Sequence, residues 1–145
     1  MSEVRSPGNR DDFPLGWSRV EAKLGIVGIT KFEEIRAWQE ARVLVNEIYQ
    51  LTARPPLLRG FGLRDQLQRS AVSAMGKVAE GFDCDSHREF ARFLGIARRS
   101  VVEVQSLLYV LGDVGYISQP TFKEVFQQAE KVKRLVGALK RSLIT

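Results

Sequence analysis

The sequence has one cysteine, one histidine and no long uncharged run. Each of these shortages removes a class of function. The lone Cys84 excludes an intrachain disulfide and fits a reducing compartment such as the cytoplasm. No stretch approaches the ~20 apolar residues that crossing a bilayer takes. Because no apolar run followed by a small-residue cleavage site stands near the amino terminus, no secretory signal is expected either. Asp83, Cys84, Asp85 and His87 fall close together, but this spacing does not match a tetrahedral zinc site and no second cluster completes one. The G-x-S-x-G elbow, the phosphate-cradling G-x-x-x-x-G-K and the dinucleotide G-x-G-x-x-G are all missing. Ser70 and Ser73 sit inside a helical pattern, and nothing in the sequence asks for acid–base work by Glu80 or Asp83. The expectation is a protein that is not an enzyme and carries neither metal nor cofactor.

What is present is an ordinary soluble composition, 44% apolar and 27% charged, in a chain long enough for one self-sufficient core. The net charge of +5 is unevenly placed. Residues 1–30 hold four basic and four acidic side chains, so the whole excess lies on 31–145, with 18 basic against 13 acidic residues. That bias favours RNA or DNA as a partner.

Residues 1–30 read as an irregular or extended leader, punctuated by Ser6-Pro7-Gly8-Asn9 and Pro14-Leu15-Gly16. The apolar Leu24–Ile29 stretch is too short and too broken by glycine for a helix. It reads as a small strand, an arm on a neighbour, or a plain leader. Residues 31–145 carry four helical periodicities. The first starts at a capping box, Thr30 with Glu33, and ends at Arg54-Pro55-Pro56. Its stripe is Ala37, Trp38, Ala41, Leu44, Val45, Ile48, Tyr49 and Leu51, with Glu33, Arg36, Glu40, Arg42 and Glu47 opposite. A connection of about ten residues follows, whose Leu57, Leu58 and Phe61 are expected to cap the core. The second helix runs from Leu63 to Glu80, with Gly81 as a left-handed C-cap. Glu80 stands at the unfavourable end of that helix's dipole, so an Arg from another helix is expected beside it. A capping box at Ser86-His87-Arg88-Glu89 opens the third. Phe90, Leu94, Ala97, Val101, Val104, Leu108 and Leu111 then alternate steps of four and three through three heptads, widened by Phe93, Ile96, Leu107 and Val110. Gly112 and Gly115 end it. The fourth opens at Ser118 or at Thr121 with Glu124, and keeps the same spacing from Phe122 to Leu143. An all-α, antiparallel up-down-up-down four-helix bundle with an irregular N-terminal leader is the simplest solution.

Two surfaces remain. Val72, Met75 and Ala79 form a second apolar stripe on the second helix, read as an oligomer interface. Arg88, Arg92 and Arg99 lie four and seven residues apart on the outward face of the third helix, with Arg98 alongside and Gly95 between them. The same offset on the fourth helix gives Lys131, Arg134 and Arg141. A cationic row beside a glycine suits a phosphate backbone. Arg98 and Arg99 would serve equally to pair with carboxylates across a subunit interface.

FEEIRAWQEARVLVNEIYQLT, FGLRDQLQRSAVSAMGKVAEGF and SHREFARFLGIARRSVVEVQSLLYVLGDVGYIS together resemble the bacterial four-helix-bundle family encoded by intervening sequences in large-subunit ribosomal RNA genes. The resemblance covers about 31–143. It is carried by Trp38-Gln39, by Gln66 and Arg69 before Ala71-Val72-Ser73, by Ala79-Glu80-Gly81 and by Phe93-Leu94 before Ile96-Ala97. It implies a homopentamer, no enzymatic activity, and kinship with the accessory variability proteins of diversity-generating retroelements, which bind nucleic acid and a reverse transcriptase. The sequence departs from the family pattern at Met75-Gly76-Lys77, where Pro and Asn are usual, and at Arg98-Arg99, where a Gly commonly precedes the Ser. Both departures add positive charge. The resulting expectation is a self-associating bundle with a basic surface for RNA or DNA. The alternative is a structural or protein-binding module that touches no nucleic acid.

Overall fold

The first α-helix begins later than its sequence signal. In the computed structural model, which describes residues 28–144, Phe32–Glu34 form one turn of 3-10 helix and α1 runs from Arg36 to Thr52. The N-cap is Ile35, with no side-chain capping bond. The Thr30–Glu33 capping box therefore does not form. Ile35 is 1% exposed and Phe32 sits edge-on to Trp38 at 5.1 Å, so burial of this apolar pair sets the entry angle instead. Thr30 Oγ1 donates to Glu34, and Gln39 Nε2 donates to the Glu33 carbonyl.

The remaining helices are α2 (Phe61–Phe82), α3 (His87–Asp113) and α4 (Gln119–Ile144). Each packs on its neighbour in sequence, and α1 closes on α4, giving the up-down-up-down ring expected from the heptads. No strand occurs among the described residues. The core takes one stripe from every helix: Leu44 and Ile48, Leu67 and Val78, Leu94 through Leu111, and Val125 through Leu143.

Helix ends follow local chemistry. Ser86 Oγ accepts the Glu89 N–H at 3.1 Å, so the α3 cap forms as read. At the other end, Gly115 has φ +78, and the Tyr116 N–H reaches back to the Leu111 carbonyl at 2.8 Å. That is a Schellman closure, and Gly115 rather than the helical Gly112 provides its left-handed residue. Ser118 Oγ accepts the Thr121 N–H and starts α4.

Three further expectations are corrected. Gly81 lies within α2 and is not a left-handed cap. A Cβ there would meet Phe93 Cβ at 2.8 Å and Phe90 Cδ1 at 2.9 Å, so the glycine lets α3 come close. Glu80 is met by Lys77 of its own helix at 3.2 Å and not by an arginine from another. Of the loop residues expected to cap the core, only Leu57 does so, while Leu58 and Phe61 are exposed, as is Tyr49 of α1.

Candidate nucleic-acid interface

The α3–α4 seam sets the geometry of the basic face. Antiparallel packing places Gly95 opposite Lys140 and, three residues along, Arg98 opposite Gly137. Both glycines are buried. A Cβ at Gly95 would lie 3.4 Å from Lys140 Nζ and 3.9 Å from Arg99 Nη1. At Gly137 it would lie 3.3 Å from Arg141 Nη1 and 3.5 Å from Arg98 Nε. Each cationic side chain therefore lies over bare helix backbone, and each glycine gathers one cation from α3 and one from α4.

Among the described residues no carboxylate lies within ion-pair distance of this group. Among the described residues the ion pairs are Arg64–Asp65, Lys77–Glu80, Arg92–Glu89, Lys131–Glu40 and Lys133–Glu130. Arg98, Arg99, Arg134, Lys140 and Arg141 belong to none of them. The nearest parts of α3 and α4 that carry acids have already committed them. Glu103 is held below the usual carboxylate range by hydrogen bonds, first from Gln66 and then from Ser70. Glu130 is lowered chiefly by the Gln105 amide, which donates at 2.7 Å, and then by Lys133. Arg98, Arg99 and Arg141 are exposed and Lys140 is half-buried.

The arginines and lysines picked out in the sequence thus separate. Arg98, Arg99 and Arg141 converge on the glycine pair, and Arg134 is exposed on the same helix as Arg141. Arg88 is exposed at the start of α3. Arg92 is exposed too, but its guanidinium pairs with Glu89 at 3.2 Å and covers the Phe93 ring at 4.8 Å. Lys131 turns toward α1 and meets Glu40 at 3.1 Å. Lys140, outside that row, is a full member of the cluster. Its signal was available: Lys140 stands three residues after Gly137, as Arg98 stands three after Gly95, but only the register of the two helices brings these together.

The other surface divides as well. Val72 is exposed and lines an open groove of ≈780 Å³ together with Tyr49 and Gly76. Met75 and Ala79 are partly buried against the core. Of the three, only Val72 lines this groove.

Elsewhere, among the described residues no three His, Cys, Asp or Glu are grouped to hold a metal, and no helix is long and apolar enough to cross a membrane. Cys84 donates its thiol to the Glu80 carbonyl at 3.4 Å. One acid stands apart. Glu47, read as solvent-facing, turns into the α1–α4 seam with one carboxylate oxygen buried and unpartnered. Burial first, and then the charges of Glu124 and Glu40, push its pKa up to about 7.

Comparison with known proteins agrees with this architecture. The family model for the 23S rRNA-intervening sequence protein matches residues 33–138, and the chain belongs to that family. A search of the curated proteins gives no match. Among solved structures, a protein of unknown function from the S23 ribosomal protein family of Bacteroides thetaiotaomicron superposes with a TM-score of 0.64 at 18% identity, covering 69% of this chain and 94% of that one. At that identity the likeness concerns the fold.

Proposed function

We propose that this member of the 23S rRNA-intervening sequence protein family is a non-enzymatic nucleic-acid-binding bundle whose working surface is the α3–α4 face. The single observation that carries the reading is the unpaired cluster of Arg98, Arg99, Lys140 and Arg141. Like charges gathered without counter-ions repel one another, and a polyanion relieves that repulsion while releasing its own condensed counterions. Arg134 extends the surface along α4.

The bundle works in this reading as an accessory subunit of a larger ribonucleoprotein. The resemblance to retroelement accessory proteins makes a reverse transcriptase its candidate protein partner. Self-association, as a homopentamer by the same resemblance, uses the groove beside Val72, where Tyr49 leaves apolar surface open. A cytoplasmic setting fits the single reduced cysteine.

Filter binding of short RNA and DNA oligonucleotides tests the proposal. Binding that weakens by at least about tenfold between 50 and 200 mM salt is expected, since log affinity falls linearly with log salt. The double charge reversal Arg98→Glu, Arg99→Glu should abolish it while leaving the melting temperature nearly unchanged. Salt-independent binding, or no binding at low salt, contradicts the reading and favours a module that contacts protein alone. Light scattering reads the oligomer, and a strict monomer counts against the groove.

A further inference from the structure

We propose that Gly95 and Gly137 are the floors of two phosphate seats, one flanked by Arg99 and Lys140 and the other by Arg98 and Arg141, which together grip successive phosphates of one strand. This deepens the nucleic-acid reading above and rests on it. The distances to the two glycines bound the geometry. Lys140 Nζ and Arg99 Nη1 lie within about 7 Å of each other, as do Arg98 Nε and Arg141 Nη1, inside a Debye length of about 8 Å. Two cations at that separation leave room for one anion to contact both. The seats are three residues apart along α3, or about 4.5 Å of axis.

The glycines need a reason to be there. Glycine inside a helix is less favourable than alanine, and here two stand on facing helices, three residues out of step along one seam. Close helix packing is the ordinary reason, and Gly81 is an example, because a Cβ there would strike the Phe93 and Phe90 side chains. Gly95 and Gly137 differ. What their Cβ atoms would meet first is the tip of a flexible cationic side chain: Lys140 Nζ and Cε, Arg141 Nη1, Arg98 Nε and Cδ, and Arg99 Nη1. An alanine at either position displaces a charge, not the fold. The two seats also differ in chemistry. The Gly137 seat has two planar guanidinium forks suited to bidentate contact with phosphate oxygens, whereas the Gly95 seat pairs one fork with an ammonium point charge.

The test uses the full chain and a fluorescent single-stranded RNA oligonucleotide, with affinity read by anisotropy at two salt concentrations. The double variant Gly95→Ala, Gly137→Ala should melt no lower than the parent yet bind about fivefold to tenfold more weakly, with a shallower salt slope. Arg98→Lys with Arg141→Lys keeps the charge but removes both forks at Gly137, and should also lose affinity severalfold. Parental affinity in the glycine variant, with Arg98→Ala, Arg99→Ala still weakened, overturns the seats and leaves the basic surface standing. A lowered melting temperature in the glycine variant also overturns them, since it assigns the glycines to packing. Failure of the parent protein to bind, or of the arginine variant to weaken, removes the nucleic-acid reading itself and the seats with it.

Discussion

Lys131 on the last helix meets Glu40 on the first at 3.1 Å, and the Gln128 amide donates to the same carboxylate. This contact removes one cation from the basic surface and uses it to close the ring. Burial works to raise the Glu40 pKa, but the hydrogen bonds from Lys131 and Gln128 and the nearby positive charge outweigh it, and the group ends below its ordinary value. Lys131→Ala should therefore lower stability by about 0.5–1 kcal/mol, the usual size for a partly exposed pair. Its affinity for nucleic acid should stay within about twofold of the parent at physiological salt, where distant charges are screened. Urea melts and anisotropy on the same preparation check both.

Glu47 makes the same seam sensitive to pH. Its folded pKa is raised from 4.5 to about 7, so between those values the native state holds a proton that the unfolded chain has released. Stability must then fall as pH rises from about 4.5 to about 7, and level off above. Glu47→Gln keeps the shape and removes the charge. It should stabilise the protein at pH 8 by about 1 kcal/mol once solvent screening of this partly exposed group is allowed for, and leave pH 4 stability unchanged. Thermal melts across that range decide the matter. A parent and variant that run parallel in pH would remove Glu47 from the account.

Gly81 gives a steric prediction opposite in sign to ordinary helix propensity. An alanine inside a helix gains up to about 1 kcal/mol over glycine. Here the new methyl would lie 2.8 Å from Phe93 Cβ and 2.9 Å from Phe90 Cδ1, distances that force α2 and α3 apart. Gly81→Ala should destabilise by about 1–3 kcal/mol, the range for overpacked cores.

The connection between α1 and α2 separates two adjacent leucines. Leu57 is 1% exposed and Leu58 is 48% exposed. Leu57→Ala should cost about 2–4 kcal/mol through the cavity it leaves, and Leu58→Ala under about 1. Chemical denaturation of the pair measures this directly.

How far the sequence could be read follows from the range of its signals. The heptads of α3 and α4 fixed which faces are buried, because a spacing of three and four leaves no other helix face to bury. The Ser86 cap was legible because its partner, Glu89, lies within one turn. The start of α1 was misread because Thr30 offers a strong local signal that burial of Ile35 overrides. Gly81, Glu40 and Glu47 were misread for one shared reason. Their surroundings are set by the neighbouring helix, and a single-helix projection cannot show whether a flank faces water or a third partner. The basic face was visible as composition, but its sorting was not. Lys131 and Arg92 differ from Arg98 and Arg99 only through the acids that reach them. The apolar stretch Leu24–Ile29 falls largely outside the described residues.

The most direct measurement of the central claim is the slope of log affinity against log salt for the parent and for the quadruple variant Arg98→Ala, Arg99→Ala, Lys140→Ala, Arg141→Ala. Each phosphate contact contributes about 0.7–0.9 to that slope. The account predicts a steep parental slope that becomes shallower by about 1.4–1.8 in the variant, one phosphate contact being lost at each of the two seats, with secondary structure and melting temperature preserved. An identical slope in both proteins would contradict it.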